Sequence, residues 1–170
     1  TNSNPPTAGT TISSESPEIT PDGRYVVFYS TATNLVSGVK TTGEIYVRDL
    51  VSGNTIWAST NARAIFKSVT GGTNIVNCNY SISDDGQFVA FEACANLPGN
   101  SSACSIILRY SLQTGLTDTI HSNANVQSFS YELIHDLAMT PDGHFVAFAA
   151  NFPGASTTNN AIYLWDSQTG

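Results

Sequence analysis

Three histidines are the first candidates for chemistry in this chain, because an imidazole can act as a general base or bind a metal near neutral pH. His121, His135 and His144 lie on different segments, and no two of them stand at metal-ligand spacing. The sequence also contains no GxSxG, HExxH, phosphate-loop or GxGxxG motif. We therefore predict no catalytic residue, no metal site and no cofactor, and assign the histidines to surface or core positions.

The carboxylates favour structural roles as well. Asp84 and Asp85 belong to a turn, where an aspartate accepts hydrogen bonds from nearby backbone N–H groups. Glu18, Glu132 and Asp136 lie on segments expected to line an inner surface, where their oxygens could hold Ca²⁺. However, no segment supplies the about six to eight oxygen ligands that calcium prefers.

The chain has three cysteines and no CxxC or Cys/His zinc spacing. Cys94 and Cys104 bracket a predicted hairpin loop, which places them on adjacent strand ends, and we predict a disulfide between them. Cys78 falls nearly opposite Glu92 on the neighbouring strand and competes for Cys94. Three free buried thiols are the other alternative. A disulfide would fit an oxidising compartment.

A repeated segment sets the positions of these residues. Three copies of a turn followed by an apolar run occur, namely PDGRYVVFYS (21–30), DDGQFVAFEA (84–93) and PDGHFVAFAA (141–150). Each copy is followed by a loop with an asparagine (Asn34, Asn96 or Asn151) and then by a second shared element, IYVRDLVSG (45–53), ILRYSLQTG (107–115) or IYLWDSQTG (162–170). Elements in one order at intervals of about 60 residues indicate one structural unit copied three times.

Each unit is predicted to form short antiparallel strands. In the PDG turns, Pro and Asp favour the turn and Gly tolerates the positive φ that closes it. The apolar runs are rich in β-branched and aromatic residues, as expected of strands buried on both faces. SESPEIT, NCNYSIS and IHDLAMT pair across the turns, and NTIWAST and LTDTIHS supply fourth strands in the first two units. No segment shows an amphipathic helical pattern over three turns.

Four-stranded units in tandem are the blades of a β-propeller. The PDG turn with its FVAF strand, the Asn-Leu loop and the IYVRDL strand with its Ser-Gly turn resemble the TolB-like class of propeller repeat, which is WD-repeat-like. This resemblance covers most of 16–170 and implies an all-β fold with about three blades present. Members of that class serve as interaction modules, as companions of peptidase domains and as some polysaccharide lyases.

The repeats divide the chain into an extended lead-in (1–15), a first blade (16–76), a second blade (77–132) and a third blade (133–170) that lacks its fourth strand. Because propellers close with about four blades or more, we predict a partial propeller that is completed by further chain or by other copies. A self-sufficient arc is the alternative. Uncovered blade edges and faces would promote association.

Composition limits the partners and the compartment. Six basic and thirteen acidic residues give a net charge of −7, which repels nucleic acid. No apolar stretch reaches the about 20 residues of a membrane helix, so no membrane span is predicted. Only 11% of residues are charged, a polar style typical of secreted bacterial β proteins. We predict an extracytoplasmic location, either periplasmic, secreted or at the cell surface.

A binding surface is expected on the face of the propeller that carries the long loops. Loops between second and third strands emerge beside the connections between blades, and both kinds are long and polar. We place the surface at Asn34, Phe66, Asn96, Phe129, Tyr131, Asn151 and Phe152. The alternative is that the asparagines only cap their own loops through side-chain to backbone hydrogen bonds.

Two functions are consistent with these patterns. The first is a non-catalytic extracytoplasmic module that binds a protein or glycan partner or assembles with copies of itself. The second is the substrate-binding propeller of a larger hydrolase, peptidase or polysaccharide lyase. A catalytic domain beside this segment would distinguish the second from the first.

Overall fold

The computed structural model describes residues 13–96, 103–122, 135–151 and 160–170. Within these ranges the chain forms eleven strands and one short helix. The strands make three antiparallel sheets of four, four and three strands. The prediction of an all-β fold built from propeller blades is therefore confirmed.

The first sheet follows chain order, so each strand pairs with the next one. Its strands are β1 (Ser14–Ile19), β2 (Tyr25–Ser30), β3 (Glu44–Asp49) and β4 (Thr55–Trp57). The second sheet has the same topology, with β5 (Val76–Ile82), β6 (Phe88–Asn96), β7 (Ala103–Ser111) and β8 (Thr117–Ser122). The third contains β9 (His135–Met139), β10 (Phe145–Asn151) and β11 (Asn160–Asp166).

The register of the sheets repeats as the sequence does. The first residue of each second strand pairs with the last residue of the third strand, as in Tyr25 with Asp49, Phe88 with Ser111 and Phe145 with Asp166. Each turn closes in the same way, because the N–H of the turn glycine donates to the carbonyl three residues earlier at 2.8 or 2.9 Å. The sequence repeat is therefore a structural repeat.

Aspartates hold these turns in place. In the first turn, Asp22 accepts hydrogen bonds from the Thr20 hydroxyl (2.6 Å) and from the Arg24 N–H (2.9 Å). The same pair of bonds occurs at Asp85 and Asp142. Such local bonds satisfy backbone donors that a tight turn leaves without partners.

Two cores lie between neighbouring sheets. Val27, Ile45 and Val47 of the first sheet pack against Phe91 and Leu108 of the second. A smaller cluster joins the second and third sheets through Ile107, Phe148 and Ala150. Neighbouring sheets thus bury the faces that they turn towards each other, which is the packing principle of a propeller.

A helix connects the first two sheets, at a place where the sequence predicts only a loop (61–77). This helix, α1 (Ala62–Thr70), buries Ala62 and Phe66 and ends at Gly71, whose φ is 76°. Its nine residues make fewer than three turns at about 3.6 residues per turn, so its period is too short to be recognised in the sequence. No helix in the described part of the chain is long and apolar enough to cross a membrane.

Candidate functional site

A cavity lies between the first strands of the first two sheets. Its volume is about 490 Å³, and it is lined by Glu15, Ser16, Glu18, Tyr29, Val76, Asn77, Cys78, Asn79 and Tyr80. Most of these residues come from β1 and β5, which are the strands that line the central channel of a propeller. The cavity is therefore a candidate binding site.

Both strands of the cavity wall are bulged at the same repeat position. Ser16 and Asn79 have positive φ values of 52° and 43°, although neither is a glycine. Each stands at the same distance before its turn glycine, Gly23 or Gly86, and the strand pairing shifts register there. A bulge leaves one residue out of the ladder and re-aims its side chain, and positive φ at a non-glycine residue stores backbone strain. The two strands therefore present irregular backbone to the cavity.

Tyr80 fixes the two strands to one another. Its hydroxyl donates to the carbonyl of Ser16 and accepts a hydrogen bond from the N–H of Tyr29 at 3.2 Å. Burial raises the pKa of the Tyr80 phenol, so this hydroxyl keeps its proton at neutral pH. It can therefore serve as a permanent donor between the first and second sheets.

The cavity is acidic at its edge. Partial burial, with a contribution from the charge of Asp84, raises the pKa of Glu18, and a hydrogen bond with the Ile82 backbone opposes that rise. Glu15 lines the same cavity, and the described ion pairs use neither glutamate. Two carboxylates beside tyrosines suit a ligand with hydroxyl or cationic groups.

A buried polar network lies behind the cavity. Glu44 is fully buried and accepts hydrogen bonds from Ser59, Arg63 and Asn77, the last at 3.1 Å. Trp57 and Thr41 add two more donors. The other amide atom of Asn77, Oδ1, is buried with no hydrogen-bond partner among the described groups. Asn77 also lines the cavity, so the buried network lies directly behind the cavity wall.

The structure separates the residues that the sequence places on the loop face. Asn34 is exposed in the loop between β2 and β3, as a surface role requires. Phe66 has no exposed surface and packs in the core between the first two sheets, because it lies on the buried side of α1. Asn96 and Asn151 are the last residues of β6 and β10. Phe129, Tyr131 and Phe152 lie outside the described residues.

The cysteines are arranged around β6. The thiol sulfurs of Cys78 and Cys94 lie 3.7 Å apart, with Cys78 opposite Glu92 as the sequence indicates. Cys94 pairs with Ser105 on β7, whereas Cys104 pairs with Ala95. Cys94 is a free thiol in the structure. The Cys94–Cys104 disulfide stays a prediction, because the side chain of Cys104 is outside the described part, and it would exclude any other role for the Cys94 thiol.

The two histidines with described side chains have structural surroundings. His144 Nε2 lies 2.7 Å from Asp166 Oδ1, at the repeat position where Arg24 meets Asp49 in the first sheet. Asp166 also accepts from the Gln168 N–H, which lowers its pKa together with His144. The ring of His121 contacts Phe148 and Tyr163 between the second and third sheets. These contacts hold turns and sheets together.

No protein-family model matches the chain, and no curated protein matches it. Solved structures do match. Dipeptidyl peptidase 4 of Porphyromonas gingivalis superimposes with a TM-score of 0.57 at 14% identity, covering 91% of this chain and 24% of that one. The acylaminoacyl peptidase of Pyrococcus horikoshii gives 0.52 at 12% identity, covering 93% and 24%. The tricorn protease gives 0.53 at 12% identity, covering 88% and 12%.

At these identities the likeness is one of fold, and it supports a propeller-type fold. Together with the repeated sheets, it defines the chain as part of a β-propeller. The chain spans between 12% and 24% of the length of these three proteins. The assignment to the TolB-like class stays a prediction, because no family model supports it.

Proposed function

We propose that this chain is a non-catalytic, extracytoplasmic propeller module that works by association, and that the face of its third sheet packs on the first sheet of a second copy. The observation that carries the proposal is an apolar face on β11. Ile162 and Leu164 are 78% and 66% exposed. Both belong to the repeated IYLWDSQTG element, so their equivalents can be compared directly.

The equivalent positions in the other sheets are covered. Ile45 and Val47 are fully buried against the second sheet. Ile107 is fully buried against the third sheet, and Arg109 is 7% exposed there. In both cases the next sheet along the chain covers the face. The equivalent face of β11 is therefore the surface on which a further blade would pack.

The contacts of the turn glycines also indicate that a further blade covers the face of β11. A Cβ on Gly86 would collide with the ring of Tyr25, and a Cβ on Gly143 would collide with the ring of Phe88. The aromatic residue of one sheet thus lies on the turn glycine of the next sheet. Phe145 is the third residue of this series, and Gly23 has no neighbour within 4 Å. Phe145 of one copy and Gly23 of another would repeat the contact.

Two copies would close such a ring. Propellers have typically about four to eight blades, and two three-sheet chains provide six. Joining the third sheet of each copy to the first sheet of the other makes two identical head-to-tail contacts, which closes the assembly without free faces. The same surfaces would accept further blades of a longer chain.

The ligand of the module is proposed to bind at the cavity of β1 and β5 and on the neighbouring loops. The acidic edge and the tyrosines favour a glycan or a protein segment with donor groups. Asn34, Asn96 and Asn151 would extend that surface, as would the aromatic residues Phe129, Tyr131 and Phe152.

A second candidate is the substrate-binding propeller of a larger hydrolase. It is favoured by one observation, namely that the matching structures described above are peptidases of which this chain would form a small part. In that case the exposed face of β11 would be covered by blades of the same polypeptide.

Light scattering after size exclusion tests the association. We expect the wild-type chain to have twice its 18.0 kDa mass, and the Ile162→Glu/Leu164→Glu variant to be a monomer because charges would enter an apolar contact. Leu116 is 69% exposed on the turn between β7 and β8, so Leu116→Glu is a matched control that should stay dimeric. A wild-type monomer at every concentration would refute the proposal.

A further inference from the structure

The side chains of Cys78, Glu92 and Cys94 form a cluster that neither the fold nor the proposed association requires. Their ligand atoms, two thiol sulfurs and one carboxylate oxygen, all lie within 4.8 Å of one another. Strand pairing explains the cluster, because Cys78 is opposite Glu92, and Cys94 stands two residues further along the same strand face. The three side chains therefore share one face of the second sheet.

The geometry points to a binding site for a thiophilic divalent cation such as Zn²⁺, and we propose that Cys78 Sγ, Cys94 Sγ and a Glu92 carboxylate oxygen are its ligands. Zinc binds thiolates at about 2.3 Å in a tetrahedral arrangement, which separates two sulfurs by about 3.8 Å. The observed separation is 3.7 Å. The sulfurs would therefore need little movement to hold the ion.

The charge around Glu92 favours a cation. Glu92 is 5% exposed, and none of the described ion pairs includes it. A buried carboxylate without a positive partner costs free energy, because water no longer solvates it. A bound cation would supply the missing charge.

A neighbouring side chain already orients the carboxylate. Asn79, at the bulge in β5, donates from Nδ2 to Glu92 Oε2 at 2.6 Å. The positive φ of Asn79, 43°, turns its backbone out of the ladder and brings the amide onto this face. Such a partner fixes a metal ligand and strengthens binding.

The site is open to an incoming cation, which would displace the thiol protons as it does at other cysteine sites. Both cysteines are only partly buried, so the ion has access. The fourth position of the tetrahedron is left for water or a ligand group.

Cobalt titration tests the site, because Co²⁺ replaces Zn²⁺ at such sites and absorbs strongly when thiolates bind it. The full chain is purified with a reductant, stripped with a chelator and titrated with Co²⁺, and Zn²⁺ is then used to displace the Co²⁺. We expect one equivalent of Co²⁺ and a thiolate charge-transfer band that Zn²⁺ removes. Cys78→Ser and Cys94→Ser should each abolish the band, whereas the matched control Cys104→Ser should keep it.

Two further variants and a melting-temperature comparison distinguish the loss of a metal ligand from misfolding. Glu92→Gln keeps the size of the side chain and should weaken Zn²⁺ binding, and Asn79→Ala should weaken it roughly 10- to 100-fold. Zn²⁺ should raise the melting temperature of the wild-type chain but not of the cysteine variants, each compared with its own metal-free state.

Three results would overturn the proposal. The first is the absence of a thiolate band in folded wild-type protein. The second is a band that survives both cysteine substitutions or disappears in Cys104→Ser. The third is a disulfide that includes Cys78 or Cys94, such as the Cys94–Cys104 bridge predicted from the sequence, in protein alkylated at the moment of lysis, since an oxidised cysteine cannot bind the ion.

Discussion

Single residues at repeated positions decide how the sheets fit together. The turn glycines show this most directly, since Gly23, Gly86 and Gly143 have the same positive φ of about 70° but different surroundings. Gly86 and Gly143 lie under aromatic rings, whereas Gly23 has no neighbour within 4 Å. Gly23 therefore only provides the positive φ of its turn. Gly86 and Gly143 do this too, and they also leave room for an aromatic ring of the preceding sheet.

This difference predicts unequal effects of alanine. Gly23→Ala should cost about 1–2 kcal/mol of unfolding free energy, because alanine must adopt a left-handed backbone. Gly143→Ala should cost about 1–3 kcal/mol more, because its Cβ would also displace the ring of Phe88. Urea denaturation of the two variants measures the difference. Equal losses would show that the ring adapts without cost.

Aspartates in the turns and at the ends of the third strands make stability depend on pH. The Arg24 guanidinium, followed by the N–H groups of Ser52 and Val51, holds the pKa of Asp49 well below its usual range. The pKa values of Asp22, Asp142 and Asp166 are also lowered by hydrogen bonds. A lowered pKa in the folded state means stability that is present above the unfolded pKa of about 3.9 and is lost as the pH falls below it.

We therefore expect the melting temperature of the wild type to fall steeply as the pH drops from about 5 towards 2. Asp49→Asn removes the negative charge that pairs with Arg24, so this variant should be less stable at pH 7. Because the new side chain does not titrate, the variant should also lose less stability on acidification. Calorimetry across this range measures both curves. Parallel curves for the two proteins would contradict the assignment of Asp49 to this effect.

At the level of elements, the helix α1 changes the role of a residue that the sequence assigns to the binding face. Phe66 lies in a connection between two blades, where an aromatic residue suggests recognition. In the structure this connection folds back as a helix, and its apolar side covers the core between the first two sheets. Phe66 is therefore expected to act on stability.

Phe66→Ala should destabilise the chain by about 3–5 kcal/mol, because a fully buried ring leaves a cavity. Lys67→Ala on the exposed side of the same helix is the matched control and should change stability by less than about 0.5 kcal/mol. Chemical denaturation measures both. A Phe66→Ala protein of wild-type stability that loses only ligand binding would favour the surface role.

The strands themselves agree closely with the sequence patterns. The PDG turns, the apolar second strands and the Asp or Ser at the end of the third strands all occur where the repeats place them. These features are local, because each depends on a few consecutive residues with strong turn or strand preferences. The bulges at Ser16 and Asn79 have no such local signal, since asparagine is enriched at positive φ but serine is not, and both types are common elsewhere.

At the level of the whole molecule, each sheet contacts the next through the same positions. Arg109 shows how these contacts are reinforced, because its guanidinium pairs with Asp118 at 2.8 Å and also lies over the rings of Phe88 and Trp165. It thereby ties the second sheet to the third. Ile162 and Leu164 stand at the equivalent positions of the third sheet, where they are exposed. The proposed dimer would cover them.

The sequence by itself determined the unit and its repetition, because turns and strand alternation depend on residues near one another in the chain. It also placed Cys78 opposite Glu92, since antiparallel pairing follows from the turn between the two strands. Only the tertiary structure decided which side chains meet across sheets. The cavity between β1 and β5, the burial of Phe66 and the approach of the two thiols all depend on how strands twist, bulge and stack, and many weak contacts determine this together.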